Sequence, residues 1–119
     1  MRTRDLRFGL YADEAGLAWV RELVAEAVGG RRVRITGETL STDTLPHSTV
    51  TTDDMYDLLA EQWAIEHPGR SSGARRLVEL RVHLECSLRT WRAVRKTVIA
   101  AMCPAGTAPH VCRVPWMGL

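Results

Sequence analysis

The stretch LVELRVHLEC, residues 77–86, alternates without a break: Val78, Leu80, Val82, Leu84 and Cys86 fall on one side, and Glu79, Arg81, His83 and Glu85 on the other. Successive side chains of a strand point to opposite faces, so this pattern predicts a strand with one buried face and one in water. Strands buried on both faces in parallel sheets read as continuous apolar runs. The alternation therefore points to an antiparallel or mixed sheet.

Other elements can be placed around this strand. Leu6, Phe8 and Leu10 alternate with Arg7 and Gly9, which predicts a first strand. Asp13 is placed to cap a helix whose stripe is Leu17, Val20, Val24, Ala27 and Val28, and Gly29-Gly30 ends it. In RRVRI, residues 31–35, Val33 and Ile35 alternate with Arg32 and Arg34, predicting a second strand. Residues 36–52 hold seven threonines and two serines, and both an extended arm and an irregular loop fit them. Thr51 or Thr52 caps a second helix with Asp53 and Asp54 in its first turn and Met55, Leu58, Leu59, Gln62 and Trp63 as its apolar face. HPGRSSG stops it. Ser87 caps a third helix with Trp91, Val94, Val98 and Met102 on its buried stripe and Ile99 alongside, ending near Cys103-Pro104. HVCRVPW, residues 110–116, reads as a last strand with Cys112, Val114 and Trp116 on one side.

With the second helix set aside, this order resembles the split βαβ pattern of ferredoxin-like folds. The expectation is a single α+β domain over residues 1–119. Its four-stranded antiparallel or mixed sheet has the first and third strands central and its helices on one face, with an extra helix inserted between strands 2 and 3. The last strand, which carries Pro115, belongs at an edge, where proline is tolerated.

Bulk properties narrow the class further. At 45% hydrophobic and 25% charged residues, the chain has globular composition rather than that of a disordered polymer. No apolar run approaches the roughly 20 residues that span a bilayer, and MRTRDLRFGLYADE lacks the apolar segment of a signal peptide. A cytoplasmic protein without membrane association is expected. Of 16 basic residues only Lys96 is not arginine, yet the net charge of +2 is too small to indicate nucleic acid.

MCPAGTAPHVC, residues 102–112, is the one stretch that resembles a metal or redox motif. A third helix of about 15 residues separates Cys86 from Cys103 by about 22 Å at 1.5 Å per residue, too far for a disulfide or a shared metal. Cys103, His110 and Cys112 make three ligands at most and lack a C-x-x-C knuckle. No metal and no cofactor are expected, nor is a catalytic set: phosphate-cradling glycines, a nucleophile elbow and metal-binding histidine pairs are all missing.

The polar sheet face is then the candidate binding surface, formed by Arg7, Arg32, Arg34, Glu79, Arg81, His83 and Glu85, with Arg113 nearby. It lacks the aromatic platform on which RNA-binding sheets stack bases. Mixed arginine and glutamate suit a protein partner or a second copy across a two-fold axis. Trp19, Trp63 and Trp116, at the margins of buried stripes, are candidate interface aromatics. A small interaction or regulatory domain, dimeric through its sheet, is the leading expectation. The alternatives are a small enzyme or ligand binder using His83 as a carboxylate-oriented base, and nucleic-acid association through the arginine-bearing strands.

Overall fold

The computed structural model describes residues 2–104 and 113–118. It is a small α+β structure, with a four-stranded antiparallel sheet and three helices. The elements run β1 (Arg2–Ala12), α1 (Glu14–Val28), β2 (Arg34–Ser41), α2 (Thr52–Glu66), β3 (Arg76–Cys86), α3 (Leu88–Met102) and β4 (Trp116–Gly118). The strand order is β2-β3-β1-β4, with β3 and β1 central and every pairing antiparallel. Among the described residues no helix is long and apolar enough to cross a membrane.

The caps form where the residue types call for them. Asp13 accepts from the Gly16 amide at 2.8 Å, the Thr51 hydroxyl from the Asp54 amide at 3.1 Å, and the Ser87 hydroxyl from the Thr90 amide at 3.2 Å. Each satisfies one of the backbone donors left over at a helix start.

The principal core lies between α1 and α3 and the first face of the sheet. Leu6, Phe8 and Leu10 of β1 and Val78, Leu80, Val82, Leu84 and Cys86 of β3 are buried against Leu17, Val20, Val24, Val94, Val98 and Met102. This apolar set is the one read from alternation. Trp91, expected on the buried stripe of α3, is only half-buried, at the edge of this core.

Three expectations need correction. Helices do not all lie on one face. α2 crosses to the second face, where Tyr56, Leu59, Leu77 and Leu45 form a smaller cluster with Tyr11, Ala60 and Met117 packed against it. The inward residues of α2 are Tyr56, Leu59 and Trp63, whereas Met55 and Leu58 are exposed, Leu58 by 60%. The backbone of α2 departs from helical geometry at Tyr56 (φ −122°, ψ 18°), and the Tyr56 side chain is buried with its hydroxyl on Glu79.

The second strand begins later and runs further than RRVRI. Arg32 and Val33 precede it, and Ile35, expected inside, is 42% exposed at the sheet edge. A bulge lies between Ile35 and Gly37, which oppose the consecutive residues Leu84 and His83. The extra residue, Thr36, reverses the parity of everything after it. Leu40 thereby joins the principal core beside Leu80, and Thr39 turns to the second face. Residues 36–41 are thus strand, and Thr44 bridges Thr51 further along the connection.

The last strand, expected over 110–116, is Trp116–Gly118, an edge strand paired with Phe8, Gly9 and Leu10 of β1. Pro115 precedes it and accepts from the Tyr11 amide at 3.0 Å through its carbonyl. His110, Val111 and Cys112 lie outside the described residues.

Gly9 makes the position of α2 possible. A Cβ built there would fall inside the van der Waals surface of the Tyr56 ring, meeting three of its carbons. Gly9→Ala is expected to cost about 1–3 kcal/mol by overpacking, measured in urea. Combined with Tyr56→Ala, it should cost much less than the sum of the two single changes, because the clash is with that ring.

Candidate functional site

The second sheet face is divided in two by α2. Under the helix, Glu79 is fully buried, although its alternation had placed it in water. A buried carboxylate is costly unless fully hydrogen-bonded and charge-paired. Glu79 has both kinds of partner. Oε1 accepts from the Tyr56 hydroxyl at 2.6 Å and from Arg7 Nε at 2.5 Å, and Oε2 accepts from Arg81 Nε at 3.0 Å. Arg7 and Arg81 stand directly opposite each other on β1 and β3, a like-charge cross-strand pair that is unfavourable on its own. The Glu79 carboxylate between their guanidinium groups reverses that sign.

The titration behaviour follows from these contacts. Burial pushes the Glu79 carboxyl up, but hydrogen bonds from Tyr56, Arg7 and Arg81 outweigh it and hold the group below its ordinary value of 4.5. Burial and the bond to Glu79 raise the Tyr56 hydroxyl above its ordinary 10.0. Burial works against the Arg7 cation, and the hydrogen bond and charge of Glu79 overcome it, so Arg7 is raised.

Beyond α2 the face is open. Asp5 and His83 are register partners, and Asp5 Oδ1 lies 2.7 Å from His83 Nδ1. His83 Nε2 lies 3.0 Å from the Thr39 hydroxyl, which the bulge has brought to this face. With Asp5 ionised, Nδ1 donates and Nε2 of the neutral ring accepts the Thr39 proton, a carboxylate–imidazole–hydroxyl chain. Arg34 Nη2 reaches Glu85 at 3.0 Å on the same face.

Of the seven residues expected to form the binding face, Arg7, Arg34, Arg81, His83 and Glu85 are together on its open half. Glu79 is withdrawn beneath α2, and Arg32 sits in the turn before β2, exposed. The carboxylate that orients His83 is Asp5, not its strand neighbour Glu85. Alternation could have found Asp5 on β1, but pairing it with His83 needs the β1–β3 register. Thr39 carries no such signal, because its side is set by the bulge.

The expected interface aromatics divide as well. Trp63 is buried, stacked on His67 with ring centroids 4.4 Å apart and edge-on to Tyr11 at 6.4 Å. Trp19 is half-buried beneath the Arg113 guanidinium, 4.6 Å from its ring centroid, and Trp116 is half-buried, edge-on to Phe8 at 6.3 Å. Cys86 is a buried free thiol in the principal core, and among the described residues no cluster of three or more histidine, cysteine or acidic side chains could hold a metal ion. The reading of Cys103, His110 and Cys112 as a set falls partly outside the described residues. Comparison with protein-family models, curated proteins and solved structures gives no match to this chain.

Two measurements test the Glu79 cluster. Tyr56→Phe is expected to cost about 1–3 kcal/mol, the range for removing one partner of a buried hydrogen bond. Because the folded carboxyl pKa is depressed, the stability from Glu79 is full above 4.5 and lost as pH falls through the lower folded-state value. In urea titrations, the gap between the native protein and Glu79→Gln should therefore be wide at neutral pH and narrow in acid. A gap unchanged down to about pH 2 contradicts this linkage.

Proposed function

We propose that this chain is a binding domain of ferredoxin-like topology that docks a second copy of itself on the open half of its second sheet face. The topology is supported by the central placing of β1 and β3, with α1 and α3 packed together on the first face. The observation that carries the binding reading is the incomplete cover on the second face. α2 stands as a ridge over one half, and the other half, with Arg7, Arg34 and Arg81, is an open step beside it.

The ridge has the chemistry to fill such a step. α2 carries Asp53, Asp54, Asp57, Glu61 and Glu66 and no basic residue, and it exposes Leu58 by 60% and Ile65 by 79%. On the open half Arg7 and Arg81 share the single carboxylate of Glu79, so that cluster carries one positive charge in excess, while Arg34 is paired with Glu85 and Asp5 with His83. A two-fold rotation sets each α2 on the other copy's open half, with acids meeting arginines and Leu58 and Ile65 leaving water. Such an isologous contact satisfies both faces at once. Other partners with an acidic amphipathic helix would compete for the same step.

In sedimentation velocity, the native protein should dimerise as concentration rises, and added salt should weaken the dimer. Arg34→Glu should shift it toward monomer, and Asp57→Arg in the same chain should restore association. A protein still monomeric at ~1 mM, the limit of weak association near −4 kcal/mol, rules the reading out.

The Asp5–His83–Thr39 chain favours a second reading, hydrolytic or acyl-transfer chemistry with Thr39 as nucleophile and His83 as base. Turnover of an activated ester that disappears in both His83→Ala and Thr39→Ala, with folding intact, would support it. Turnover equal to that of free imidazole would dismiss it.

A further inference from the structure

We propose that the cleft between α3 and β4 binds a small amphipathic anion, an acyl chain or aromatic body carrying one carboxylate or phosphate. The cleft lies by α3 and the edge strand, and this inference stands independently of the reading of the sheet face. Its apolar wall is Trp91 and Ile99 of α3 together with Trp116 of β4, and its cationic rim is Arg92, Arg95 and Lys96. Its volume is about 730 Å³, inside the roughly 300–1,000 Å³ typical of small-ligand sites.

The sequence of α3 supplies both halves of this chemistry. Val94, Val98 and Met102 turn into the principal core, so positions flanking that stripe line the cleft instead. LRTWRAVRKTVIAAM has four cations and no acid. Among the described residues, none of Arg92, Arg95 and Lys96 takes part in an ion pair. Uncompensated cations bordering exposed indole surface match an anionic head on an apolar body.

The walls are mounted before any ligand arrives. The Trp91 indole N–H donates to the Asp5 carbonyl at 3.0 Å, and Trp116 pairs with Leu10 through its backbone while its ring stands edge-on to Phe8. The Arg95 guanidinium reaches across to β4, where a Cβ on Gly118 would lie 2.9 Å from Nη2. Gly118 thus leaves room for Arg95 to lie along the cleft. A site whose walls are already fixed loses little conformational freedom on binding.

The test compares two fluorescent probes with the same aromatic body, anilinonaphthalene sulfonate, which is anionic, and phenyl-naphthylamine, which is neutral. On the full chain the anionic probe should saturate a single site, quench tryptophan emission and bind more tightly than the neutral one. Arg92→Gln with Arg95→Gln should weaken the anionic probe roughly tenfold or more and leave the neutral probe unchanged, with circular dichroism and melting temperature preserved. Gly118→Ala, which displaces the Arg95 guanidinium, should weaken the anionic probe in the same direction. Decanoate and decyl phosphate should each displace the probe, their relative strength telling carboxylate from phosphate, and inorganic phosphate should not. Equal affinity for both probes, loss of both probes alike in the charge variants, or no saturable site overturns the proposal.

Discussion

A single buried carboxylate organises the second side of this protein. Glu79 sits in the middle of a central strand with no exposed surface, and the molecule meets its desolvation with a tyrosine hydroxyl from α2 and two arginines from β1 and β3. Two of the three contacts are long-range. Tyr56 comes from an inserted helix, Arg7 from the opposite end of the chain, and Arg81 from two residues along the same strand. The carboxylate ties α2 to the sheet, and it holds Arg7 and Arg81 side by side where they would otherwise repel. Gly9 completes the arrangement by leaving space for the Tyr56 ring over the strand backbone. Removing one member leaves the others buried with unmet demands, which is why such networks cost more to break than their separate hydrogen bonds suggest.

With α2 fixed there, the two faces of the sheet diverge in character. The first face is an uninterrupted apolar surface under α1 and α3. The second is half core and half polar surface, and the boundary between them runs along the Arg7–Glu79–Arg81 cluster. On the polar half, cross-strand register pairs Asp5 with His83, and the β2 bulge adds Thr39 to the other ring nitrogen. A bulge that reverses parity is thus what assembles the carboxylate–imidazole–hydroxyl chain. On the far edge, β4 brings Trp116 beside the basic flank of α3. The sites of interest lie where an irregular feature meets the regular sheet: an inserted helix, a bulge and a three-residue edge strand.

Much of the regular framework was legible in the chain. Alternation in LVELRVHLEC and in Leu6-Phe8-Leu10 identified two strands and their buried faces, since a period of two has one physical meaning when the polar side is charged. Asp13, Thr51 or Thr52, and Ser87 marked three helix starts, because a short polar side chain before an apolar stripe satisfies orphan amide donors, and the structure settles the second cap on Thr51. Of the candidate site, Arg7, Arg34, Arg81, His83 and Glu85 were found because they share a parity. Asp5 and Thr39 were missed, since one depends on strand register and the other on a one-residue bulge, and neither leaves a periodic mark.

Glu79 shows where that kind of reading stops. The sequence by itself determined which side of β3 the residue faces, together with the capping of the helices and the identity of the principal core, because these follow from backbone periodicity and local hydrogen bonding. Only the tertiary structure decided whether that side meets water or another helix. That outcome depends on where α2 lands. α2 is held by one ring over one glycine and one hydroxyl on one carboxylate, contacts between residues 47 and 23 positions apart that no local pattern encodes.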